Sequence, residues 1–215
     1  MGYQVILDII GSAVTGGLLL ITLLNFNAEN MENKQLFRDE INAQSNLVAA
    51  VDVIEDDFRR IGYCQKRSRM WVPVVTMAAA ESIRFKTDVA TGSLYEGDGV
   101  VDSITYAFGP PALGTFNPRD RILYRRVNDG DYNNAGKGVT MLNFAYLTLG
   151  GDTIPRPVAY QRLKEIAGVE VTFRVESANP AATVARPDSF ATAFVNWKQL
   201  RFEIKNFGRG ALVPP

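Results

Sequence analysis

Apolar and polar positions divide this chain into stretches with different periods. From Gln4 to Phe26 it reads QVILDIIGSAVTGGLLLITLLNF, nearly unbroken in apolar or small residues, with one acid, Asp8, among the aliphatics. At about 1.5 Å of rise per residue, residues 5–24 as a helix would cross a hydrocarbon layer of about 30 Å. From about Ala28 to Ile61 the composition turns polar, with no Gly or Pro before Gly62, so the helix is expected to run on. Leu47, Val51, Ile54, Phe58 and Ile61 recur at alternating steps of four and three, a narrow apolar seam suited to packing on a domain. Phe37 and Ile41 lie in a more solvated part, among Arg38, Asp39 and Glu40. Glu55 with Arg59, and Asp56 with Arg60, stand one turn apart and support the last turns by a few tenths of a kcal/mol each. Gly62 suits a C-terminal cap.

Beyond residue 62 the period becomes two. Ile83 and Phe85 share one face, as do Ile104, Tyr106 and Phe108, and Leu142, Phe144 and Tyr146. In VEVTFRVES, Val169, Val171, Phe173 and Val175 are expected inside, and Glu170, Thr172, Arg174 and Glu176 outside. LRFEIKN alternates in the same way. Turn chemistry separates the strands: EGDG before Val100, GPPALG after Phe108, NDGDYNNAGKG before Val139 and LGGD after Thr148. One apolar face per strand predicts an antiparallel sheet that packs on something apolar, for which the helix seam is the candidate. The expected class is α+β, a lollipop with residues 1–27 as an apolar transmembrane or filament-core helix, 28–62 as its amphipathic continuation and 63–215 as a β-rich head. A helix over residues 4–61 would be about 85 Å long, more than a small domain can bury, so its first half needs partners elsewhere.

Charge and chemistry narrow the function. Lys plus Arg and Asp plus Glu number 23 each, which gives no net field toward nucleic acid. Histidine is absent, which excludes histidine-dependent triads and removes the commonest zinc ligand. Cys64, the single cysteine, is expected as a small buried hydrophobe. No phosphate loop, nucleophile elbow or paired-cysteine motif occurs, and nothing calls for an enzyme, a cofactor or a small-molecule substrate. Asp98 and Asp102, with Asp88 and Glu96 nearby, are weak calcium candidates, since Asp-Gly is also a common tight-turn pair. Arg121, Arg125 and Arg126 fit outward strand positions or an acidic partner. Trp71 and Trp197 fit core positions or subunit-interface anchors.

No Lys or Arg precedes Lys34, so the apolar segment lacks the basic start of a secretory signal and is expected to stay with the protein. An ionised Asp in a lipid-exposed helix costs up to roughly 3 kcal/mol. Either Asp8 is solvated at the interface or sits in a buried helix of a soluble protein, or it pairs with a cation from another copy, such as an α-amino group. Gly11, Ser12, Ala13, Gly16 and Gly17 allow close helix–helix approach, and Gly16 and Gly17 mark where a helix could stretch or melt.

The chain resembles the type IV pilin superfamily, in particular the J-type and W-type minor pilins and pseudopilins. The resemblance rests on the apolar helix with one acid in its first turns, on DDFRRIGYC at its end, and on SIRFKTD, GDGVVDSITYAF, DRILYRRV, GVTMLNFAYL, VEVTFRVES and WKQLRFEIKNF following in order. It implies insertion in a bacterial cytoplasmic membrane, then assembly with like or related pilin subunits into an extracellular or periplasmic filament of the type IV pilus or type II secretion kind. It also implies that Asp8 neutralises a neighbour's N-terminal amine. The alternative is a monomeric single-pass protein whose head binds a partner outside the cell.

Overall fold

The computed structural model of the chain describes residues 2–89, 97–113, 117, 119–176 and 195–204. Two compact units are present, residues 1–41 and 42–215, and the helix α1 (Gly2–Arg59) contributes to both. The sequence readings at Glu96, Gly114, Ser177 and residues 205–207 lie outside the described residues.

In the first unit the helical backbone satisfies its own hydrogen bonds, and every described side chain from Gly2 to Glu29 is exposed. This helix is long and apolar enough to cross a membrane.

The second unit joins the last turns of α1 to an antiparallel sheet. Its strands are β1 (Val75–Ala78), β2 (Ser82–Thr87), β3 (Asp102–Pro111), β4 (Arg121–Val127), β5 (Asn133–Leu147), β6 (Thr153–Ile154), β7 (Gly168–Glu176) and β8 (Val195–Glu203). They lie in the order β1-β2-β3-β4-β5-β7-β8, with the short β6 against β5. Short turns join β1 to β2, β4 to β5 and β5 to β6, and every pairing is antiparallel, which is what an alternating, one-face-apolar sequence allows. The strand β5 pairs β4 through its first residues and β7 through its later ones, with irregular register near Val139, next to Gly138 at φ +72°. An extra residue and a left-handed glycine let one strand bend between two partners.

Phe58 sits at the centre of the core. Its ring lies 5.1 Å from Phe85, 5.5 Å from Tyr106, 6.0 Å from Phe144 and 5.3 Å from Phe202, so one helical residue touches side chains from four strands. Ala50, Val51, Ile54 and Ile61 are also buried, and Leu47 is half-buried against the same cluster. Gly136 of β5 lies against Ala50: a Cβ there would come within 2.9 Å of the alanine Cβ. Two small residues thus let strand and helix approach closely. The helix stops at Gly62, whose φ of +76° reverses the chain. Its N–H donates to the Lys86 carbonyl at 2.9 Å, and the Thr87 hydroxyl donates to the Arg60 carbonyl at 2.8 Å, which ties the helix end to β2.

Several local expectations change. The GPP of residues 109–111 continues β3 instead of forming a turn, and β5 begins at Asn133, which shortens the expected long turn. Glu176 is buried, not outward, because Arg119 and Arg174 meet its two oxygens at 2.7 and 3.2 Å. Arg125 turns toward α1, because it shares the face of buried Leu123. Trp71 and Trp197 are 59% and 66% exposed, so neither is a core residue.

Candidate functional site

The apolar stretch of α1 in the first unit is built so that little polarity shows. The hydroxyls of Ser12, Thr15 and Thr22 donate to the carbonyls of Ile9, Gly11 and Leu18 at 2.9, 2.7 and 2.8 Å. Hydroxyls folded back on their own helix need no external partner, which suits a surface that faces lipid or another helix. Hydropathy along the sequence counts these residues as polar; the signal for their silence is their helical setting, with a carbonyl three or four residues back.

Asp8 is the exception. It is exposed on the helix among Ile6, Leu7, Ile9 and Ile10, which are themselves between 50% and 62% exposed. A carboxylate has no donor with which to fold back on a carbonyl, so its lone pairs must be met from outside the helix. Gly11, Gly16 and Gly17 are open: a Cβ at any of them would meet nothing within 4 Å. The structure therefore presents, on one exposed helix, a carboxylate and flat glycine surface within an apolar run.

In the second unit the last turns of α1 carry a polar network. Asp57 lies three residues after Ile54 and four before Ile61, so it falls on the apolar seam and is buried. Arg125 of β4 donates to both of its oxygens, from Nε at 2.6 Å and Nη2 at 3.0 Å. The Tyr106 hydroxyl donates to the same carboxylate. Burial, then the Asp57 carboxylate, pushes the Tyr106 phenol up, and the hydrogen bonds to Asp57 raise the Arg125 guanidinium. The Tyr106 phenol therefore stays neutral and the Arg125 guanidinium charged near neutral pH. A lone acid on an apolar seam was the available signal, but its partner is far off in sequence.

The remaining candidates sit apart. Asp98 is exposed, and its Oδ1 accepts the Val100 N–H at 2.7 Å as a turn-forming residue does. Asp102 accepts the Val89 N–H at 3.1 Å and the Asn128 amide at 2.7 Å. Asp88 is buried and accepts the N–H groups of Gln65 and Gly99 at 3.0 and 2.9 Å. Among the described residues no three metal-ligating side chains gather. Cys64 is buried, and its thiol is raised, chiefly by burial.

No protein-family model and no curated protein sequence matches the chain. Among solved structures it is similar to a type IV-like pilin from Thermus thermophilus, with a TM-score of 0.51 and 12% identity over 76% of this chain and 96% of that chain. At that identity the likeness is one of fold. The fold is type IV pilin-like, a long N-terminal helix followed by an antiparallel sheet.

Proposed function

We propose that the chain is a structural subunit of a filament of the type IV pilus or type II secretion pseudopilus kind, polymerising through the apolar half of α1. The observation that carries this is the exposed apolar helix of a pilin-like fold, with one carboxylate in its second turn. Before assembly that helix would lie in a bacterial cytoplasmic membrane, where lipid covers its side chains and Asp8 costs up to roughly 3 kcal/mol. In the filament, neighbouring helices replace lipid. Helix packing of this kind draws on close contact and on polar pairing, not on release from water. A cation from an adjacent copy beside Asp8 would remove the cost of the lone charge and set the register. Gly11 would let helices approach, and Gly16 and Gly17 would be where the helix stretches.

The test is Asp8→Ala in the full chain, expressed in a cell that assembles it. Membrane insertion and the fold of the β-rich unit should be unchanged, while sheared surface filaments seen by negative-stain microscopy should disappear. Filaments of normal abundance from this variant would overturn the proposal, as would a wild-type chain found only as single membrane-anchored copies.

A further inference from the structure

The sheet ends in two edges, and only one of them is closed by the described fold. Along β1 the Val158 N–H donates to the Ala78 carbonyl at 2.9 Å, the Tyr146 hydroxyl donates to the Ala79 carbonyl at 2.8 Å, and the 3₁₀ turn Tyr160–Glu165 packs beside the strand. The other edge is β8. It runs from Val195 to Glu203 without proline, glycine or a shift of register, and among the described residues nothing pairs with the side that faces away from β7. A long, regular edge of unpaired N–H and C=O groups is a template for another strand.

The same edge borders a cavity of about 330 Å³, lined by Glu55 and Arg59 of α1 and by Leu200, Arg201, Phe202 and Glu203 of β8. Leu200 is half-buried and Phe202 buried against the core, which gives the cavity an apolar floor. The charges around it balance. A hydrogen bond from Arg59 holds the Glu55 carboxyl low, and Lys198 adds to that effect. Arg201 stands opposite Glu170 in the ladder, Glu203 is exposed, and Asp52 lies one turn before Glu55. No net field therefore draws a polyanion or a polycation. What the groove leaves unmet is backbone hydrogen bonding and apolar surface, and an extended polypeptide meets both.

We propose that this groove accepts an extended segment of another polypeptide as an added edge strand beside β8, with a bulky apolar side chain seated on Leu200 and Phe202. A second copy of β8 is a poor occupant. Lys198 stands opposite buried Phe173 in the ladder, so it shares the helix-facing side with Leu200 and Phe202. Antiparallel self-pairing that keeps most of the strand sets Lys198 opposite Leu200, Phe202 or its own copy, which brings an ammonium onto apolar surface or onto a like charge. An inward-pointing charge of this kind guards an edge against its own copy and leaves it open to a strand of different sequence. Main-chain bonds to the edge supply affinity, and the cavity supplies selection. Such docking goes beyond the filament reading and holds for a filament subunit or a lone anchored chain alike.

The test follows hydrogen exchange, in the full-length chain in detergent, at the β8 amides that face away from β7, with and without synthetic peptides of the same length as β8. In each peptide threonines alternate with Glu and Lys about one central residue, which is Leu, Phe, Asp or Lys. The Leu and Phe peptides should slow those amides several-fold and leave β1 unchanged. In Trp71→Phe they should also shift the emission of Trp197, which is 66% exposed, to shorter wavelength. The Asp and Lys peptides should bind about tenfold or more weakly. Leu200→Asp should abolish the preference, with Cys64 still protected from maleimide to show that the second unit is folded. Amides unmoved by both apolar-centred peptides at millimolar concentration, or peptides bound without regard to the central residue, would overturn the inference. So would amides already slow in the chain alone: slowing that grows with protein concentration assigns the edge to a second copy, and slowing lost on removing residues 205–215 assigns it to those residues. The filament reading stands or falls separately, on Asp8→Ala.

Discussion

Replacing Asp57 by Asn preserves shape while deleting the charge toward which two groups are turned. Asp57 is 7% exposed, with Arg125 bonded to both oxygens at 2.6 and 3.0 Å and the Tyr106 hydroxyl bonded to one of them. The amide cannot accept all of these bonds, and the guanidinium loses its counter-charge inside the interface between helix and sheet. Breaking a fully buried pair costs about 3–5 kcal/mol. The Arg125 side chain is 24% exposed, so solvent screens part of its charge and the lower end, about 3 kcal/mol, applies. Cys64 supplies the assay, because it is the only thiol in the chain and is 2% exposed. Burial also raises its thiol, which keeps the reactive thiolate scarce in the folded state. Maleimide should therefore label it mainly through opening of the second unit. In the full chain in detergent, Asp57→Asn should speed labelling about a hundredfold, with a urea dependence that marks opening of the whole unit. Asp57→Leu/Tyr106→Phe/Arg125→Met, which removes every member of the network, should return most of the way toward wild type. Labelling of Asp57→Asn within threefold of wild type would refute the reasoning; so would a triple variant as labile as the single one.

Phe58→Ala removes the ring packed on Phe85, Tyr106, Phe144 and Phe202 and should cost about 3–5 kcal/mol by urea denaturation. Phe37→Ala, at a position 63% exposed, should stay within about 0.5 kcal/mol of wild type in the same measurement. Gly136→Val places atoms where Ala50 already lies, with even a Cβ only 2.9 Å away, and should destabilise by about 1–3 kcal/mol. Ala50→Gly in the same chain should recover part of that loss, and an unchanged denaturation midpoint for Gly136→Val alone would show that helix and strand are not in close contact there.

The α+β class was legible because it rests on local periods, and the resemblance because short motifs follow one another in order. A run without Pro or Gly at a spacing near 3.6 makes a helix, and alternation makes half-buried strands, whatever lies beyond them. The candidate site was legible as an anomaly, a carboxylate where hydropathy wants none, whereas the carbonyls that silence Ser12, Thr15 and Thr22 emerge only once the helix is built. Turn boundaries were less legible. The residues NNAGKG carry turn composition, yet pairing of Asn133, Asn134 and Gly136 with β4 draws them into a strand. Ladder hydrogen bonds outweighed local propensity there.

The sequence by itself determined the long helix and the alternating core strands, and that one acid stands in a membrane-like run, since these follow from neighbours a few residues apart. Only the tertiary structure decided that Asp57 meets Arg125 and Tyr106, and that Glu176 lies inside between Arg119 and Arg174. The physical reason is distance along the chain. A buried charge is tolerated only when a partner from another strand or helix arrives at hydrogen-bonding range, and sheet order and register, not composition, bring that partner there.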